Sequence, residues 1–167
     1  MGLHVHSLGE LPDKDFRDYY VFLLDYGWEE YIGKSLKDNF DKMAELASKN
    51  NAIVIKGISG CHFEDEVLSF YNINGIPGEE ILPAILISTI NPHLFKERGN
   101  ICNRGKLIND NLILIPIKLI CRNSNDVAVL INKIFNDIEY KKAIKDFEIS
   151  KIIKKGENNP LVDTLIL

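Results

Sequence analysis

The stretch that decides the fold is Tyr71-Asn72-Ile73-Asn74-Gly75-Ile76-Pro77, followed six residues later by Pro83 and the apolar run Ala84-Ile85-Leu86-Ile87-Ser88. An aromatic helix end, a glycine turn and a proline before an apolar run are typical of a helix that leads back into a buried strand. The stretch therefore predicts an α/β domain.

The composition fits one globular domain. The chain has 167 residues, of which 46% are hydrophobic and 26% charged, and its formal net charge of −4 offers no global basic field for nucleic acid. The apolar runs at 81–90 and 112–121 are about half the ~20 residues that span a bilayer, and the first residues lack the cationic start and apolar core expected of a signal peptide. Three widely spaced cysteines do not form a secreted disulfide framework. We expect a cytoplasmic protein with neither a membrane nor a nucleic-acid partner.

Hydrophobic periodicity predicts the order β-α-β-α-β-β-α. Strands are expected at 19–26, 52–56, 84–90 and 112–121, with Pro116 marking the last as an edge strand. Helices are expected at 36–48 with Ser35 as N-cap, around Phe63–Tyr71, from a cap at Ser124 or Asn125, and at 140–154. We predict an irregular N-terminal arm at 1–18, the folded domain at 19–155 and an apolar tail at 156–167.

This order, and the residues at its joints, resemble the thioredoxin-like superfamily. In that family an aromatic-x-Ile-x-Gly-Ile-Pro run leads into the third strand, and its proline is cis and faces the active site. Pro77 matches the motif, but five residues intervene before Pro83, which directly precedes the strand and which the strand context favours. The resemblance covers about residues 19–121 and the following helix. It implies a thioredoxin-like central mixed sheet of about four strands, flanked by helices, with a C-terminal helical extension.

The chain departs from that family after its first strand. Thioredoxins carry Trp-Cys-x-x-Cys there, at a helix N-terminus that lowers the thiol pKa. This chain has Trp28-Glu29-Glu30-Tyr31-Ile32-Gly33, without either sulfur. Dithiol exchange is impossible at that position, so the resemblance implies a redox-inactive member that needs no cofactor.

Cys61-His62 is the remaining candidate for catalysis. A thiolate at a helix N-terminus, with His62 as its base, would make a nucleophile. The acidic residues 64–66 would raise rather than lower the thiol pKa, and adjacent side chains rarely point at one another. An enzyme using Cys61 as a single reactive thiol is therefore an alternative function.

Metal binding is not expected. Cys102 and Cys121 lack metal-ligand spacing with each other or with His93. His4 and His6 fall on one side of an extended segment, but two ligands make a weak site. A small-molecule or nucleotide site at the strand carboxyl ends is a second alternative function.

Aromatic residues favour a binding surface instead. Trp28 and Tyr31 follow a glycine and are expected to be exposed, and such side chains are common interface anchors. Together with Pro77 and Pro83 they are the predicted binding residues. We predict a non-catalytic protein-interaction module or accessory subunit.

The tail Leu161–Leu167 also needs a partner. It can pair with the edge of its own sheet or add a strand to another chain. We therefore expect binding to another protein, or self-association, through either the 28–33 surface or this tail.

Overall fold

The computed structural model describes residues 1–11, 17–58, 62–70, 81–92 and 111–157, with backbone alone at 70 and 154–157. The Tyr71–Pro77 junction, Cys61, Cys102, His93 and the Leu161–Leu167 tail lie outside these residues. The described strands are β1 Gly2–Val5, β2 Tyr19–Leu24, β3 Ala52–Gly57, β4 Ala84–Ser88 and β5 Leu112–Pro116. The described helices are α1 Tyr31–Asp38, α2 Phe40–Ser48, α3 His62–Phe70, α4 Ile117–Ile120, α5 Ser124–Glu139 and α6 Glu148–Glu157, with 3-10 turns at Leu8–Glu10 and Ile144–Asp146.

The five strands form one mixed sheet in the order β1-β3-β2-β4-β5. β1 and β2 both run parallel to β3, whereas β4 runs antiparallel to β2 and β5 antiparallel to β4. Val21 marks the centre of the register, since it pairs with Val54 on one side and Ile87 on the other. The predicted α/β class and mixed sheet are confirmed.

Strands β2 to β5 are buried at every residue because helices cover both faces of the sheet. Alternate residues of each strand enter two separate cores. Val21 and Val54 face a core shared with α1, α2, α5 and α6, while Phe22 and Ile55 face a core shared with α3. The domain therefore has three layers, with the sheet in the middle.

The prediction of an irregular arm at 1–18 was wrong for its first residues, and the sheet has five strands rather than four. Gly2–Val5 is an edge strand, held by bonds such as Val54 N to Met1 O at 3.0 Å. Gly2 lets α2 approach, because a Cβ there would lie 2.7 Å from the Cβ of Ala44. Four residues with a single buried side chain give too little alternation to identify a strand.

The predicted helix at 36–48 is two helices that meet at Asn39. Asn39 Nδ2 donates to the carbonyl of Ser35 at 2.8 Å, within the turn where α1 ends. Ser35, predicted as the N-cap, is buried inside α1, which begins after Glu30.

The C-terminal half departs from prediction in its boundaries. β5 ends at Pro116, at the sheet edge as expected, but the chain then forms the single turn α4 instead of continuing as a strand to Cys121. Asn123, rather than Ser124 or Asn125, caps α5, since its Oδ1 accepts from Asp126 N at 2.9 Å. Among the helices in the described ranges, none is long and apolar enough to cross a membrane.

Candidate functional site

The carboxyl ends of β2 and β3 bring together three buried ionisable side chains. Asp25 directly follows β2, Lys56 is the last residue but one of β3, and Glu64 lies in the first turn of α3. Parallel strands end at the same edge of a sheet, and ligands bind at that edge in many α/β domains. We call these three residues the carboxyl-edge cluster.

Lys56 is enclosed by Trp28 and the strand end. Its Nζ donates to the carbonyl of Gly57 at 3.0 Å and lies 4.6 Å from the centroid of the Trp28 ring. Burial lowers the pKa of Lys56, as does the nearby Lys37, while Glu64 acts in the opposite direction. The aromatic face and one carbonyl stabilise an ammonium that has left water.

Glu64 is the least exposed member of the cluster, at 1% of its surface. Its Oε2 has no hydrogen-bond partner among the residues that the structure describes, and burial raises its pKa to about 7. Gly57 permits this close packing, because a Cβ there would lie 3.0 Å from the Phe63 ring and 3.2 Å from Glu64 Oε1. A carboxyl with such a pKa exchanges its proton near neutral pH.

Asp25 is held by the turn that follows β2. Its Oδ1 accepts from the backbone N–H of Tyr26 at 2.9 Å. Burial raises the pKa of Asp25 and Glu30 raises it further, while hydrogen bonds from the N–H groups of Tyr26 and Trp28 lower it. On its other side the carboxylate abuts Gly33 in α1, where a Cβ would overlap Oδ2.

The prediction that Trp28 is exposed was wrong, since only 9% of its surface is accessible. Gly27 and Trp28 adopt φ values of 88° and 59°, so two successive left-handed residues turn the indole inward over Lys56. Trp28 thereby becomes part of the core beside α1, with its ring over Lys56. A positive φ is unusual for a bulky residue and costs about 1–2 kcal/mol.

Tyr31 is exposed as predicted, at 63% of its surface. It is the first residue of α1, and its hydroxyl shares a hydrogen bond of 3.0 Å with Ser124 Oγ at the start of α5. Beside it, Glu30 pairs with Lys118 at 3.4 Å between Oε2 and Nζ. Tyr31 therefore lies on a surface where α1, α4 and α5 meet.

The remaining predicted residues are not assembled into one site. The Leu82–Pro83 peptide bond is cis and Pro83 is buried, with its carbonyl accepting from Ile117 N at 3.0 Å. Pro77 and Cys61 lie outside the described residues. His62 is exposed, and its Nε2 lies 3.9 Å from Glu66 Oε2.

Neither a reactive thiol nor a metal cluster is found in the part of the chain that the structure describes. Cys121 is buried, and its burial, together with Asp126, raises the pKa of its thiol to about 12, which makes it unreactive. The ring of His4 packs on Phe40, with 4.3 Å between centroids. Across the described ranges, no three His, Cys, Asp or Glu side chains are grouped to hold a metal ion.

Sequence reasoning missed the whole carboxyl-edge cluster. Two signals were present in the chain. Lys56 is the charged last residue of the short strand predicted at 52–56, and Asp25 is the one charged residue in the aromatic and β-branched run predicted as a buried strand at 19–26. A charge inside such a run is rarely buried without a partner, so it marks a position to inspect.

Comparisons of the chain with protein-family models, with curated proteins and with solved structures give no significant match.

Proposed function

We propose that the protein is a non-catalytic, thioredoxin-like module or accessory subunit that binds a protein partner through the surface around Tyr31. The order β1-β3-β2-β4-β5, with two parallel pairs and two antiparallel ones, supports the thioredoxin-like assignment. Pro83, which the strand context favours for the family's proline, directly precedes β4.

The observation that carries the binding role is the exposure of Tyr31 beside a closed cluster. The segment after β2 holds no thiol, and the Trp28 ring covers Lys56. Tyr31 is therefore the aromatic side chain that this edge presents to a partner. Its bond to Ser124 fixes the ring before binding, which reduces the entropy lost on association.

The two alternatives have less support. A thiol enzyme depends on Cys61, which lies outside the described residues, and the neighbouring His62 points to solvent. A small-molecule site at the strand ends has suitable charged groups, but Asp25, Lys56 and Glu64 are all buried. Both remain predictions.

The test is a pair of matched tyrosine substitutions. A photo-crosslinking residue at the exposed Lys34 captures the partner, which is then identified, purified and titrated against the variants. We expect Tyr31→Ala to weaken binding by at least ~30-fold, the loss expected of an interface anchor worth about 2 kcal/mol. Tyr140→Ala is the control, since Tyr140 is 68% exposed and ends a different helix.

The control is expected to change the dissociation constant less than about twofold, as is usual for residues outside an interface. Equal affinities for Tyr31→Ala and the unmodified chain would contradict the proposal. Sedimentation at several concentrations distinguishes a foreign partner from a second copy of the chain.

A further inference from the structure

An open apolar groove runs between α5 and α6, away from the carboxyl-edge cluster. It encloses about 350 Å³, with Val129 and Leu130 on one wall and Ile149 and Ile152 on the other. Ile120 and Cys121, at the end of α4, close one side of it. A cleft of this volume lies within the usual range for binding sites in proteins.

The groove leaves large apolar side chains in water. Val129 is 45% exposed and Ile152 is 41% exposed, and Leu119 beside the groove is also exposed. Burying such surface is worth roughly 25 cal/mol per Å², so a covering segment is stabilising. Clustered exposed apolar residues mark interaction sites more often than isolated ones do.

We propose that residues 158–167 of the same chain occupy this groove. The segment directly follows α6, which supplies one wall through Ile149 and Ile152. From Ile152 to the helix end is about 7.5 Å, at 1.5 Å per residue. Ten further residues reach up to ~33 Å when extended, which is ample for the chain to fold back.

The composition of the segment fits the groove. It contains Leu161, Val162, Leu165, Ile166 and Leu167, and its one charged residue is Asp163. The groove lining also includes Arg122, Asp126 and Lys133; Arg122 pairs with Asp126 at 3.5 Å and Lys133 with Glu148 at 3.3 Å, so its rim carries both signs of charge. The apolar residues of the segment thus have an apolar surface to bury, and a single charged residue to leave at a polar rim.

The segment 93–110 is a poorer occupant. It contains six charged residues, the basic Lys96, Arg98, Arg104 and Lys106 and two acidic ones, and burying so many charges in an apolar groove is unfavourable. It also leads into the start of β5 at Leu112, whereas the groove lies beyond the other end of β5, after Pro116. Both charge and connectivity therefore favour residues 158–167.

Methyl NMR of the full chain tests this occupancy. With labelled Ile, Leu and Val methyls, we expect cross-peaks between Leu165 or Ile166 and Val129 or Ile152. The double substitution Leu165→Asp/Ile166→Asp is expected to remove these cross-peaks, shift the groove methyl signals and raise the fluorescence of an apolar dye at least twofold. Ile58→Asp is the control, because Ile58 is exposed at the end of β3 and is expected to leave all three readings unchanged.

Groove signals that are identical in the full chain and in the double variant would overturn the proposal. A mixture of differently labelled copies gives a second test. Cross-peaks found only between copies would also overturn it, since they would show the segment of a second chain in the groove. These results are independent of whether Tyr31 binds a partner.

Discussion

Replacing Glu64 by glutamine is expected to remove a large part of the pH dependence of stability. Burial raises the pKa of Glu64 from 4.5 to about 7. Between these two pH values the carboxyl is therefore protonated in the folded chain but ionised in the unfolded chain. Stability therefore falls as pH rises from 4.5 to 7, and stays lower above that. At about 1.4 kcal/mol per pKa unit, the full effect is about 3 kcal/mol.

Glu64→Gln keeps the shape of the side chain but cannot ionise. At pH 4.5 and below, the variant and the unmodified chain are expected to differ little, because the carboxyl is protonated in both folded and unfolded states. Above pH 7 the variant is expected to be more stable by up to about 3 kcal/mol, a shift of roughly 2 M in the urea midpoint for a typical m-value.

Urea unfolding between pH 4.5 and 8, followed by fluorescence, measures the effect directly. Trp28 is the only tryptophan of the chain and packs on Lys56, so its emission reports the state of the cluster. Glu45→Gln is the matched control, since Glu45 is exposed and forms a surface ion pair with Lys49 at 3.7 Å. Parallel pH profiles for Glu64→Gln and the unmodified chain would refute the reasoning, because Glu64 would then ionise in the fold without cost.

Two further substitutions and one labelling reaction test the packing of α1, the cap of α5 and the burial of Cys121. Gly33→Ala is expected to destabilise the domain by about 2–3 kcal/mol in urea unfolding, since the added Cβ overlaps the Asp25 carboxylate; an unchanged midpoint would show that Asp25 is not held there. Asn123→Ala removes the cap of α5 and is expected to cost about 1 kcal/mol, with helix-specific loss of amide-exchange protection near Asp126. Iodoacetamide is expected to leave Cys121 unmodified at pH 8 in the folded chain and to label it after unfolding, as peptide mass spectrometry would show; rapid labelling of the folded chain would contradict its burial.

The central strands were predictable because their composition alone identifies them. Runs such as Leu112–Pro116 are apolar at every position, which is typical of strands covered on both faces. β1 was not predictable in this way, because its four residues become a strand through pairing with β3. The break at Asn39 and the cap at Asn123 were also missed, since several nearby residues have similar capping propensity.

The candidate site was less predictable than the fold. Tyr31 was correctly expected to be exposed, but its neighbour Trp28 is buried because the backbone turns through positive φ at a residue other than glycine. No local propensity predicts such a turn for tryptophan. The sequence shows Glu64 as one of three acidic residues at the start of a helix. In the structure Glu64 is buried because α3 packs close to Gly57, whereas its neighbour Asp65 is exposed.

The position of Trp28 connects the buried charges to the exposed surface. Lys56 and Glu64 are costly to bury, and apolar residues of similar volume at such positions are often neutral or stabilising. The indole excludes water from Lys56, and the same turn places α1 so that Gly33 meets Asp25 and Tyr31 faces outward. Glu64 interacts electrostatically with Lys56 and Asp25, the two side chains that Trp28 contacts. We therefore expect a change in the charge of Glu64 to act on the turn that carries Trp28 and, three residues further on, Tyr31.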